Sequence, residues 1–208
     1  MQIKSRYRNR IFFIGLPAVV LLSAVLIRLF LVTTYRVRSD AMLPTYRSGK
    51  LLWINRIASP DRGDVVVIKY RQDGEADSRF YLARLIGLPG DTLFLSKGGV
   101  VANRQKLKLP TSLLPREPYK IIVPRNDRTY RLTPLSLLAC RRAIEEECSS
   151  NISFRRGKLY RDGAETAFFH FRRNYYWILA DNPASGPDSR HLGIVPEESI
   201  VGVVMNAN

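Results

Sequence analysis

Carboxylates are scarce in this chain. There are 18 Asp and Glu against 33 Lys and Arg, giving a formal net charge of +15 over 208 residues. Such an excess suits anionic lipid headgroups, nucleic acid or acidic partners. The basic residues are scattered, however, as at Arg62, Arg71, Arg84, Arg141, Arg155 and Arg172, and no basic array interleaved with aromatics stands out. A nucleic-acid partner is therefore not expected. Cysteine and histidine are rarer still, with two of each. No histidine lies close to Cys140 or Cys148 and there is no phosphate-cradling glycine loop, so no metal and no organic cofactor is expected. Internal repeats and low-complexity tracts are absent as well, which excludes a solenoid.

Charge is missing altogether from Ile11 to Ile27, IFFIGLPAVVLLSAVLI. Before this run stands MQIKSRYRNR with Lys4, Arg6, Arg8 and Arg10; after it Arg28 interrupts and LFLV continues to Val32. A membrane span needs about 20 mostly apolar residues. Residues 11–32 are accordingly expected to form a transmembrane helix, with Arg28 snorkelling to the interface. A cleavable signal peptide fits less well, because the run exceeds a usual apolar region and no clear A-x-A site follows. The basic flank (1–10) then lies in the cytoplasm. The expectation is a single-pass protein of the cytoplasmic (inner) membrane, the lipid bilayer one of its partners and most of the chain on the extracytoplasmic face.

The pattern then turns β-like. LLWIN (Leu51 to Asn55), VVVIKY (Val65 to Tyr70) and FYLARLIG (Phe80 to Gly87) are short runs of branched and aromatic residues bounded by turn signals such as Arg62-Gly63-Asp64 and Asp73-Gly74. NYYWILAD (Asn174 to Asp181) and IVGVVM (Ile200 to Met205) read as buried strands. Leu51 to Trp53 is read as an ordinary buried strand in preference to a surface dipping into the bilayer. Between these lies TPLSLLACRRAIEEE, a helical pattern with Thr133 as N-cap, Pro134 at the first helical position and Leu135, Leu138, Ala139 and Arg142 along one face. The fold expected is mainly β: a transmembrane helix, an antiparallel β core from 33–103 and 172–208, and a small α+β subdomain inserted at 104–171. Cys140 and Cys148 would stand about 12 Å apart in a continuous helix, beyond disulfide reach. They pair only if the helix ends between them, and Glu145 to Glu147 sit where a helix C-terminus repels acid; the pairing stays open.

Three further segments complete a pattern with the basic tail and apolar run. They are YRVRSDAMLPT (Tyr35 to Thr45), RGDVVVIKY with YLARLIGLPGD (Tyr81 to Asp91), and ILADNPASGPDSRHLG (Ile178 to Gly193). In this order they resemble the boxes of type I signal peptidases, membrane-anchored serine endopeptidases with a Ser/Lys dyad. The resemblance implies a scaffold of the secretory pathway that recognises the signal peptides of exported precursors for cleavage after small residues. It places the nucleophile at position 41 and the general base at 83, with Ser39 in the oxyanion hole. Met42, Pro44, Arg84, Asp181, Asn182, Ser185, Asp188, Ser189 and Arg190 fall in supporting positions.

Both dyad positions depart from the family. Ala41 stands where the serine belongs and Ala83 where the lysine belongs; Lys50, Ala180 and Gly186 replace an aspartate, a glycine and a lysine-orienting serine. Alanine has neither an attacking oxygen nor a proton acceptor, and Arg84 stays protonated. Lys50, His170 and His191 are the other side chains that could serve as base, and Asp188-Ser189-His191 invites a triad reading that only geometry can test. The chain is therefore expected to be catalytically inactive as written. It reads as a peptidase whose alanines were introduced to trap substrate, or as a natural pseudopeptidase that holds precursors or partner proteins of a membrane or secretion complex. Lys50, Ala180 and Gly186 weigh towards the second.

Overall fold

The structure, a computed structural model, describes residues 17, 19–25, 28, 30–71, 77–107, 117–148, 151–182 and 184–205. No helix among the described residues is long and apolar enough to cross a membrane. That corrects the expected transmembrane helix at 11–32 and, with it, the single-pass inner-membrane placement; residues 1–16 lie outside the described residues. Two local interactions compete with a span. The β-branched stretch at the end of the apolar run, Val32–Arg36, pairs antiparallel with Leu51–Asn55. Arg28, expected to snorkel, instead holds its guanidinium 5.5 Å from the Trp53 ring centre.

The chain is largely β with small helices. In chain order the strands are β1 (Val32–Arg36), β2 (Leu51–Asn55), β3 (Val65–Tyr70), β4 (Arg79–Gly87), β5 (Thr92–Ser96), β6 (Gly99–Ala102), β7 (Gln105–Leu107) and β8 (Tyr119–Ile122). They continue with β9 (Arg128–Arg131), β10 (Ile152–Arg155), β11 (Lys158–Arg161), β12 (Ala164–Thr166), β13 (Phe168–Phe171), β14 (Tyr175–Leu179), β15 (Val195–Pro196) and β16 (Ile200–Val204). The main sheet runs β1-β2-β16-β3-β4-β14-β15, so the C-terminal strand is threaded between β2 and β3. A second sheet, β7-β6-β5-β8, joins strands from both sides of position 104, and two smaller sheets are β10-β11-β12 and β13-β9.

Burial follows the strand period. In β3, Val65 and Val67 join one apolar cluster with Met42, Leu52, Ile54 and Leu82, while Val66 and Ile68 join another with Ala83, Leu85, Tyr176 and Ile178. A strand covered on both faces reads as an unbroken apolar run, which is why VVVI shows no alternation. Edge-ward, β2 does alternate. Leu52 and Ile54 are buried, whereas Leu51 and Trp53 are about half exposed at 53% and 49%, so the buried reading of Leu51 to Trp53 holds for one face only. The largest cluster ties the sheets together through Ile86, Leu93, Ile121, Ile144, Phe171 and Trp177.

The helix α1 (Pro134–Glu147) begins as read: Thr133 Oγ1 accepts from the Ser136 amide at 3.2 Å. Its buried face is Leu137, Cys140, Ala143 and Ile144, while Leu135 and Leu138 of the expected stripe are exposed at 42% and 69%. Both stripes have helical spacing, and the stripe chosen is the one without Arg142. Nor does the acidic end fray. Arg141 and Arg142 pair with Glu145 and Glu146 at 3.0 and 2.9 Å, and the Glu147 carboxylate accepts from the Tyr175 hydroxyl and the Arg172 amide. The helix therefore continues through the intervening residues, and both cysteines are free. Burial pushes the Cys140 thiol up to about 12, which makes it an inert packing group.

Candidate active-site cleft

A short loop carries the first motif. The Val37 amide donates to Lys50 O and the Gly49 amide to Val37 O, at 2.9 and 2.8 Å, closing residues 37–50 into a loop. Within it Asp40–Met42 form one turn of 3-10 helix after the extended Ser39, whose side chain makes no capping hydrogen bond. Met42 is fully buried and plugs the loop into the cluster around Leu82. Asp40 Oδ1 accepts from the Ser48 amide at 3.1 Å. Pro44 is exposed at the turn that follows.

The last motif grips this loop. The Asn182 amide donates to Ala41 O at 2.8 Å, and Asn182 Nδ2 donates to Asp40 O and Ser185 Oγ at 3.1 and 3.0 Å. Asp181 is engaged by Arg84 in a bidentate pair, Nε to Oδ1 at 2.8 Å and Nη2 to Oδ2 at 2.6 Å. Thr45 Oγ1 donates to the same carboxylate at 2.5 Å, and Arg84 Nη1 donates to Gly63 O at 2.7 Å. One guanidinium thus joins the loop, β4 and the end of β14. Farther on, the fully buried Asp188 accepts from the Ala180 amide and from Arg190, and Ser189 Oγ accepts from the Ile178 amide. These bonds hold the short helix α2 (Ser189–Leu192) against β14.

These placements bear on every candidate named above. Ser189 is buried and its hydroxyl is tied to β14, while His191 Nδ1 stands 3.6 Å from Asp188, too far for a hydrogen bond; no triad is formed. His170 meets Thr129 on the two-stranded sheet, and Lys50 lies over the Tyr46 ring at 5.1 Å. Ala83 is fully buried in the cluster with Val66 and Ile178. Gly186 backs directly onto Ala41, where an added Cβ would lie 2.6 Å from the Ala41 Cβ. The family's serine cannot be placed at 186 without shifting the loop.

Around Ala41 opens a groove of about 360 Å³. Ser39, Ala41 and Met42 of the loop line it together with the β4 wall of Arg79 to Leu82, and with Gly186, Pro187, Tyr35, Val37 and Arg38. In the main sheet β14 pairs with β4 only from Arg84 to Gly87, so Arg79–Ala83 is laddered on its β3 side alone. The wall is an open strand edge of the kind an extended peptide can join. Among the described residues the lining holds no carboxylate, histidine, lysine or cysteine. Its Tyr35 phenol is raised by burial, with Arg38 opposing, and so stays protonated. Thr45, Tyr35, Arg38 and Arg79 were missed as site residues. Tyr35, Arg38 and Thr45 lay inside a quoted motif, whereas Arg79 is signalled only by contacts across the fold.

A β scaffold with a strand-edge groove beside a hydrogen-bonded loop belongs to a class of folds that can accept a peptide in extended form. Comparison with known proteins specifies it further. The family model described as signal peptidase, peptidase S26, matches residues 9–206, and the chain belongs to that family. It is 28% identical over 189 residues to signal peptidase I T of Bacillus subtilis (strain 168), covering 88% of this chain and 77% of that one. With signal peptidase I of Bacillus amyloliquefaciens it shares 27% over 184 residues, covering 86% and 75%. A crystal structure of a signal peptidase I from Enterococcus faecalis matches at 19% identity and a TM-score of 0.36, covering 72% of this chain and 99% of that one.

Proposed function

We propose that this chain binds an extended, signal-peptide-like segment of a precursor protein and does not hydrolyse it. The observation that carries the reading is the composition of the groove: an open strand edge and a serine hydroxyl, with no side chain able to accept a proton near neutral pH. Position 41 contributes a backbone N–H as a serine would. With Ser39 it is suited to hold a peptide carbonyl, as an oxyanion hole does. The loss of both dyad members costs on the order of a million-fold in rate. Lys50, Ala180 and Gly186, further departures from the family's boxes, weigh towards a natural pseudopeptidase over a deliberately substituted enzyme.

The test uses the full chain and a precursor ending its leader in A-x-A. The expected result is saturable binding that a leader peptide displaces, with the precursor intact by mass spectrometry after prolonged incubation. Cleavage by the unaltered chain, or no binding at all, overturns the reading.

A further inference from the structure

The groove beside Ala41 has a neighbour. A second cavity, of about 340 Å³, lies across Tyr35 and Phe80 and is lined by Arg36, Arg56, Ile54 and Val67 among others. Tyr35, Arg38 and Phe80 line both cavities. The Tyr35 hydroxyl donates to the Phe80 carbonyl at 3.1 Å, which ties two of the shared lining residues together.

The charge of this double groove is one-sided. Arg38 lines both cavities and Arg36 the second, and among the described residues no Asp or Glu lines either. Asp40, next to the lining in sequence, turns its carboxylate to the Ser48 amide. Arg38 holds the shared position, and its charge already acts on the Tyr35 phenol. A guanidinium beside a strand edge is well shaped to receive a carboxylate through paired N–H donors. Resting on the peptide-binding reading above, we propose that the occupant is an acidic peptide. Its backbone joins the edge of β4, a small residue falls at Ala41, and a Glu or Asp side chain a few residues away sits on Arg38.

The experiment measures binding of the full chain to fluorescent alanine- and serine-rich peptides ending in A-x-A, by anisotropy. One Glu is walked through successive positions, with Gln and Lys versions at each. The expected result is a preference for Glu over Gln of about threefold to tenfold at one position and its neighbours only. It weakens as salt shortens the Debye length. Arg38→Gln, an exposed position whose folding is checked by thermal melting, abolishes the preference, and Arg38→Glu transfers it to the Lys peptide. Equal binding of all peptides leaves the peptide-binding reading standing and overturns the acidic one. Tighter binding of Glu at every position alike also overturns it, because the net charge alone then accounts for the effect. Failure of every peptide to bind, neutral ones included, overturns the peptide-binding reading itself.

Discussion

Arg84 touches three chain segments at once, and its partner Asp181 has a side chain only 1% exposed. Removing one member of such a pair leaves a buried charge without compensation, which costs roughly 3–5 kcal/mol. Arg84→Ala should therefore lower the urea-unfolding free energy by about that amount, whereas Arg84→Ala with Asp181→Ala should cost less than the sum of the two single changes. Gly186 makes the opposite demand, for space. Gly186→Ser should destabilise by about 1–3 kcal/mol through overpacking against Ala41, seen as a drop of several degrees in Tm. Ala41→Ser with Ala83→Lys is expected to leave a precursor uncleaved by mass spectrometry. The new amine, starting from a fully buried Cβ, would have no hydroxyl at Gly186 to orient it.

At the scale of elements, β3 was legible because both its faces are covered, and a run of branched residues has no other stable use. The start of α1 was legible because Thr133 and Pro134 act locally. Which stripe of that helix is buried was not, since Leu135/Leu138 and Leu137/Ile144 both have helical spacing and only the surface facing them distinguishes the two. Leu137→Ala should cost about 2–5 kcal/mol, and Leu138→Gln no more than about 0.5, in matched urea titrations. The end of the helix, left open by the sequence, was decided in a similar way. The donors that hold Glu147 are Arg172, just after β13, and Tyr175, at the start of β14, 25 and 28 residues later.

Over the whole molecule, the sheets share their largest apolar cluster, and titratable groups buried in it and in the neighbouring cluster between β3 and β14 report on the packing. Tyr176 is raised from 10.0 to about 12 by burial and by Glu197 beside it, and Tyr175 is raised by burial and by its bond to Glu147. In the unfolded chain a phenol releases its proton near its ordinary value, while the folded chain still holds it. Between pH 10 and 12 the native state thus binds more protons, so stability is fully present below pH 10 and falls as pH rises through that window. Cys140, raised from 9.0 to about 12, acts in the same direction. The urea midpoint should decline over this range, and Tyr176→Phe should make the decline shallower.

The order of motifs, the strand runs, the N-cap of α1 and the alanines at positions 41 and 83 could all be read from the chain alone. Each is a matter of residue type at fixed spacing, and such patterns act locally. The tertiary structure alone decided that the end of the long apolar run pairs as β1, that Gly186 lies against Ala41, and that Arg38 and the edge of β4 line one groove in which, among the described residues, no acid stands. Those outcomes depend on which surfaces meet across the sheet, and no local pattern encodes that.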